Sequence, residues 1–240
     1  MRTIVVTGAA TGIGRAAATA FHTRGDYVVL TGRRADALTK AVDGLDERAV
    51  PVAFDASDPD QVTAALSQLP DRIDVLVNNA GGNTDFDHDD PTDLAGVAAA
   101  WRANLEANLL SAVLVTTALR DRLQPGGTVV NIGSIAADKG AGAYGAAKAG
   151  LASWTVDLAA QLSPTDITVN TLAPGYVADT EFFRDKLSDD TRQTLVDSAL
   201  TRRASHPEDI AATVEFLASP GARQITGQVL AVNGGERTSR

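Results

Sequence analysis

Thr3-Ile4-Val5-Val6-Thr7-Gly8-Ala9-Ala10-Thr11-Gly12-Ile13-Gly14 decides how the rest of the chain is read. Its first half is a β-branched run long enough for one buried strand (Thr3–Thr7). Its second half is a turn with glycines spaced Gly-x₃-Gly-x-Gly, opening into a helix over Ile13–Arg24. Glycine tolerates positive φ and lets backbone N–H groups come close to a ligand. The helix N-terminus adds unpaired donors and the positive end of a dipole, a natural seat for a pyrophosphate. A glycine pattern alone is weak evidence. Placed between a first strand and a first helix, it predicts a dinucleotide cradle.

Working outward, the same alternation continues to the end. Strands are expected at Tyr27–Thr31, Val50–Phe54, Ile73–Asn78, Thr128–Ile132, Thr168–Leu172 and Gln228–Val232, each short and apolar on both faces. Helices are expected at Ala35–Leu45, Pro59–Leu69, Leu94–Leu123, Tyr144–Leu162 and Pro207–Ala218. Residues 1–240 therefore read as a single α/β domain of Rossmann type, a doubly wound sheet of about seven parallel strands with helices on both faces. Two stretches stand apart, Gly81–Thr92 and Gly175–Leu200. Both should emerge at carboxyl ends of strands, where ligands bind in such sheets. The second holds Tyr176, Val177, Phe182, Phe183, Leu187, Leu195 and Val196, and reads as a substrate lid over residues 175–200, with plain packing on the core or a neighbouring subunit as the alternative.

Composition narrows the chemistry. The 240 residues include no cysteine, which removes thiolate catalysis and disulfides. A net charge of −9 without a basic tract argues against nucleic acid. The longest apolar stretch, Leu109–Leu119, falls short of the ~18 residues of a membrane span. With no secretory leader pattern, a soluble cytoplasmic protein is expected. His22, His88 and His206 show no ligand spacing, so no metal is proposed. Asp85, Asp87, Asp89, Asp90 and Asp93 read as a solvated loop or as a rim repelling anions. Trp101 and Trp154 lie on expected helices, as core or interface residues.

Tyr144 and Lys148 stand four apart on an expected helix and so share a face. Reducing a carbonyl needs a hydride at carbon and a proton at oxygen. Free tyrosine, titrating near ~10, is too weak an acid for that task. A neighbouring ammonium and the helix dipole are expected to pull it down. Tyr144 is thus the expected general acid/base, tuned by Lys148. Ser134, at the end of the fifth strand, has a hydroxyl suited to holding a substrate oxygen, or is a plain turn residue. Past strand two, where an acid would bond a ribose 2′-hydroxyl, stand Gly32, Arg33 and Arg34. That combination favours a 2′-phosphate, hence NADP(H) over NAD(H), unless the arginines are merely solvated.

Taken in order, Gly8-x₃-Gly12-x-Gly14, Asn78-Asn79-Ala80-Gly81, Asn131-Ile132-Gly133-Ser134, Tyr144-x₃-Lys148, Ala173-Pro174-Gly175 and Asn233-Gly234-Gly235 resemble the short-chain dehydrogenase/reductase family over nearly the whole chain, 3-oxoacyl-ACP reductase-like members in particular. The resemblance implies a cofactor site of Gly8, Thr11, Gly12, Ile13, Gly14, Arg33, Arg34, Asp55, Ala56, Asn79, Ala80, Gly81, Tyr144, Lys148, Pro174, Gly175 and Val177. It gives Lys148 a hydrogen bond to the nicotinamide ribose and Asp55 an adenine contact, although Asp55 or Ser57 could instead cap a helix. It makes Ser134, Tyr144, Lys148 and Asn108 the catalytic set, Asn108 ordering a water chain to the lysine, with Asn104 in a rival register. Ser134 precedes Tyr144 by ten residues, closer than is usual in that family. A homo-oligomer, tetramer or dimer, built on the two long helices is also implied. The expected function is NADP(H)-dependent interconversion of a largely apolar ketone and its secondary alcohol. A non-catalytic nucleotide-binding sensor and a Rossmann-like methyltransferase are the alternatives.

Overall fold

Strands that are apolar on both faces can be buried only if helices cover both. The computed structural model describes residues 1–87, 89–183 and 186–238; His88, Arg184 and Asp185, which fall in the aspartate-rich loop and the expected lid, lie outside it. The first half of the chain runs β1 (Thr3–Val6), α1 (Gly12–Thr23), β2 (Tyr27–Gly32), α2 (Ala35–Val42), β3 (Ala49–Ala53), α3 (Pro59–Ala65) and β4 (Ile73–Asn78). The second runs α4 (Leu94–Leu105), α5 (Ser111–Leu119), β5 (Leu123–Ile132), α6 (Ala136–Lys139), α7 (Gly142–Leu162), β6 (Thr168–Pro174), α8 (Asp189–Ser198), α9 (Pro207–Leu217) and β7 (Val229–Val232). Among the described residues these strands form one parallel sheet in the order β3-β2-β1-β4-β5-β6-β7.

Neighbouring residues of β1 show the logic. Ile4 and Val6 pack with Phe21 of α1, Leu38 of α2 and Val214 of α9, whereas Val5 between them packs with Val62 of α3, Val115 of α5 and Leu158 of α7. Each such side chain removed from water contributes about 1.5–3 kcal/mol. The order reverses between β1 and β4, because the chain leaves β3 at one edge and returns to the centre. A cleft opens outside the carboxyl ends of the strands at that reversal.

Several boundaries differ from expectation. The single helix expected at Leu94–Leu123 is interrupted by a π-helical turn over Glu106–Leu110, and Leu123 already belongs to β5. The Asn108 amide, which donates to the Asn104 carbonyl at 3.0 Å and also to Gly82, occupies this turn. The stretch after β6 is not a bare loop. It contains a 3₁₀ turn at Glu181–Phe183 and α8, whose start is capped by Ser188 accepting from the Thr191 N–H. Residues between Ser134 and Tyr144 form α6, closed by Gly140 at φ 75°. The cap of α3 is Asp58, which accepts from the Asp60 and Gln61 N–H groups, and not Asp55 or Ser57. Among the described residues, no helix is long and apolar enough to cross a membrane.

Candidate active site

The ends of β1 and β4 are tied together by polar side chains. Thr7 Oγ1 accepts from the N–H groups of Asn79 and Ala80, both at 3.0 Å. The Asn79 amide donates to the carbonyls of Thr7 at 3.0 Å and Gly8 at 2.9 Å. Deeper down, Asn78 donates to Asn131 and Thr116, and Asn131 to Thr155, each at 2.8 Å. This buried chain, which joins β4, β5, α5 and α7, holds the strand ends in register under the cleft.

The cleft itself encloses about 1420 Å³. That exceeds the ~300–1,000 Å³ of a pocket for one drug-sized ligand. Gly8, Thr11, Gly12, Ile13, Arg33, Arg34, Asp55, Ala56, Asn79, Ala80, Gly81, Tyr144, Lys148, Pro174, Gly175 and Val177 all line it, so the residues implied as a cofactor site converge on one space. Gly14 does not. It is buried behind the wall, where an added Cβ would meet the Asn79 amide at 2.4 Å and the Gly8 carbonyl at 2.5 Å. At the start of α1, Thr11 makes no side-chain cap and the first turn carries no acid. Among the described residues no side chain caps its first N–H groups, which open onto the cleft. A pyrophosphate fits that cradle.

At the opposite end, Ser134, Tyr144 and Lys148 come together where β5 meets α7. Tyr144 is 7% exposed and Lys148 4%, and the Ser134 side chain is hydrogen-bonded to the tyrosine. The lysine ammonium donates to the Ile132 carbonyl at 2.8 Å and lies 5.8 Å from the Tyr144 ring centre. The expected downward pull on the phenol is not what this geometry delivers. Burial pushes Tyr144 up to about 12, opposed only by the Ser134 hydrogen bond. Burial likewise lowers Lys148 to about 8, which weakens the cation that was expected to do the tuning. In the protein alone, desolvation outweighs proximity.

Asn108 is buried and does not line the cleft. Its amide oxygen accepts from the Gly82 N–H at 3.0 Å and its NH₂ donates to the Gly82 carbonyl at 2.8 Å, clamping the loop that forms the wall. The rival Asn104 is equally buried and holds Asp85 and the Thr84 N–H. Asp55 lines the cleft and organises a turn by accepting from Ser57. Of the expected lid residues, Tyr176, Val177, Phe182, Phe183 and Leu195 face the cleft; Leu187 and Val196 do not. Residues the sequence reading missed also line it, including Phe86, Glu106, Lys139 and Glu236. Phe86 was hidden among aspartates, and Glu236 had no local pattern at all.

A parallel sheet with a phosphate cradle at its crossover, and a buried hydroxyl pair beside a lysine, define a dinucleotide-dependent oxidoreductase. The model of a family described as enoyl-(acyl carrier protein) reductase matches residues 8–236. The chain is 33% identical to 3-oxoacyl-[acyl-carrier-protein] reductase FabG of Vibrio cholerae, covering 96% of this chain and 95% of that one. It is 37% identical to cis-4-hydroxycyclohexanecarboxylate dehydrogenase of Sinomonas cyclohexanicum, covering 98% and 96%. Among solved structures, a short-chain dehydrogenase/reductase from Brucella melitensis superimposes with a TM-score of 0.86 at 31% identity, covering 99% of this chain and 97% of that one. A blue fluorescent protein from a metagenomic library, in complex with NADPH, gives 0.85 at 29% identity, covering 99% and 98%. The chain belongs to the short-chain dehydrogenase/reductase family and is an NAD(P)-dependent oxidoreductase of that family.

Lys148 gives a prediction with a definite sign. Its fall from an ordinary 10.5 to about 8 corresponds to roughly 3 kcal/mol of differential stability. Between these values the unfolded chain binds the extra proton, so stability rises with pH across that window and the penalty is complete below it. Lys148→Met is therefore expected to stabilise the fold at pH 7, by about 1–2 kcal/mol after the orphaned Ile132 carbonyl is counted. That amounts to a few degrees, at roughly 2–4 °C per kcal/mol for a chain this long. Scanning calorimetry should show the gain at pH 7 and its disappearance near pH 10.5; an equal gain at both would refute the assignment.

Proposed function

We propose that the chain is an NADP(H)-dependent carbonyl reductase that interconverts a small or medium, largely apolar ketone and its secondary alcohol. The observation that carries this reading is the buried Ser134–Tyr144–Lys148 group opening on the same cleft as the glycine cradle. A bound nicotinamide supplies the hydride for reduction and accepts it for oxidation. Tyr144 gives its proton to the carbonyl oxygen in one direction and takes it back in the other. Ser134, already bonded to the phenol, holds the same substrate oxygen. Lys148 positions the nicotinamide ribose and steadies the phenolate. Asn108 acts here as a positioning residue for the wall through Gly82.

NADP(H) is preferred because the described end of β2 carries no acid that would repel a 2′-phosphate. Gly32 leads into Arg33, whose largely exposed guanidinium lies 3.9 Å from Asp55. Arg34 is paired at 2.8 Å with Glu181 of the lid. Arg33 is thus the better phosphate ligand. A hydrogen bond to a charged group contributes about 1.5–3 kcal/mol, so Arg33→Ala should raise the KM for NADPH about tenfold or more. The KM for NADH should change little. A parallel rise for both cofactors would point to lost packing instead.

Oligomerisation is part of the proposal. Leu94, Val97, Trp101 and Leu110 on the α4 segment and Val156 on α7 are exposed apolar residues of the two long helices. Trp154, by contrast, packs against the core. The decisive test of function is NADPH oxidation, followed by absorbance, over a panel of ketones. Tight nucleotide binding without turnover of any member would leave only a sensor.

A further inference from the structure

We infer that the substrate end of the cleft is shaped for a free, uncharged, ring-bearing carbonyl compound seated against the cluster of Phe86, Phe182 and Phe183 beside Tyr144, and not for a carbonyl borne on an anionic group or an acidic carrier protein. The inference rests on the oxidoreductase reading above and names its substrate class.

Aromatic rings from three separate elements converge there. The Phe182 ring lies 5.5 Å from the Tyr144 ring and 4.8 Å, edge-on, from Phe183. It also packs edge-on at 5.8 Å against Phe86, which comes from the loop after β4. Phe183 extends the patch to Tyr176 at 5.9 Å. All of these side chains line the cleft. Aromatic faces favour offset or edge-to-face partners, and a rigid ring can lie against such a cluster without freezing internal rotations. A flexible acyl chain gains the same apolar burial only by freezing several rotatable bonds, which weakens its net binding. The lid ring touching Tyr144 therefore discriminates by shape as well as by polarity.

Charge completes the case. The cations beside the aromatic cluster are engaged: Lys148 with the Ile132 carbonyl, Lys139 with Glu236 and Lys186 with the Phe86 carbonyl. Glu106 lines the same cleft. Asp89 and Asp90 of the neighbouring loop are exposed, on a chain of net charge −9. A carboxylate, a phosphate or an acidic protein approaching this rim meets like charge, which slows association and penalises the complex.

The test uses NADPH and carbonyls of equal carbon number: acetophenone, cyclooctanone, 2-octanone and 7-oxooctanoate, together with a 3-oxoacyl carrier protein. The ring ketones should exceed 2-octanone in kcat/KM by about tenfold, and 7-oxooctanoate and the carrier-bound substrate should fall lower still. Phe182→Leu keeps apolar volume but loses the ring; it should cost the ring ketones about tenfold through KM and 2-octanone about threefold or less. Equal losses for ring and chain, or carrier-bound substrate as the best of the set, overturn the inference. Reduction of none of these carbonyls by nucleotide-bound protein overturns the functional reading itself, whereas a preference for 2-octanone overturns only the substrate class.

Discussion

Tyr144→Phe should lose about three orders of magnitude or more in carbonyl reduction, with NADPH bound as tightly as before within about threefold; positioned proton transfer contributes up to ~10⁴-fold, or roughly 5 kcal/mol. The substitution removes one oxygen and leaves the ring in its buried site, so its contacts with Phe182 persist. What disappears is the hydrogen bond with Ser134 and the proton itself. The net stability change should stay near ~1 kcal/mol, which thermal unfolding would check. Burial makes the tyrosine better suited to one half of the reaction than the sequence reading supposed. Held up to about 12, the phenol is fully protonated at neutral pH, as a donor to a carbonyl must be. The reverse direction needs the phenolate, and there the nearby ammonium of Lys148 matters most. Lys148→Met should therefore harm alcohol oxidation more than ketone reduction at pH 7. Full reduction by Tyr144→Phe would remove the proton-transfer assignment altogether.

Which parts of this were legible beforehand follows from the range over which each cause acts. Alternation of β-branched runs with alanine-rich helices is local, so the parallel sheet and its two helical layers could be read directly, including β4 at Ile73–Asn78 and β6 from Thr168. The tyrosine–lysine pair was equally visible, because four residues of helix place them on one face. Their electrostatics were not, because desolvation depends on what covers the pair: Phe182 lies nearly 40 positions away in sequence and Ile132 sits at the end of β5. The π turn at Glu106–Leu110 has a similar origin. Asn108 leaves the ordinary helical pattern to reach Gly82, a partner no periodicity announces. Gly14 was read as a phosphate contact, yet its place is set by packing against Asn79, from the other strand of the switch point.

That last correction leads to the second large effect, Gly14→Ala. Elsewhere glycine-to-alanine changes in a helix are mild or even stabilising, by up to about 1 kcal/mol. Here the new methyl would stand 2.5 Å from the Gly8 carbonyl oxygen and 3.0 Å from the Ala9 Cα, both backbone atoms that cannot swing aside. The Asn79 amide, 2.4 Å away, could retreat only by giving up its bonds to the Thr7 and Gly8 carbonyls. Either the loop from Gly8 to Thr11 lifts away from β4 or α1 shifts along its axis. Both movements displace the N–H groups of the cradle, by several tenths of an ångström or more. Overpacking of this kind typically costs about 1–3 kcal/mol in stability. Anion binding loses more, because several charge-assisted hydrogen bonds worth about 1.5–3 kcal/mol each degrade together. A weakening of NADPH binding by about 100-fold or more is expected, read by fluorescence titration, although residue 14 itself does not line the cleft. Gly44→Ala supplies the control. Gly44 has φ 79° and nothing within 4 Å of an added Cβ, so it carries backbone strain without a clash. It should lose about 1–2 kcal/mol of stability and no nucleotide affinity. If Gly14→Ala behaved like Gly44→Ala, the cradle would not depend on the close contact of α1 with β4, and the reading of this turn as the pyrophosphate seat would lose its structural basis.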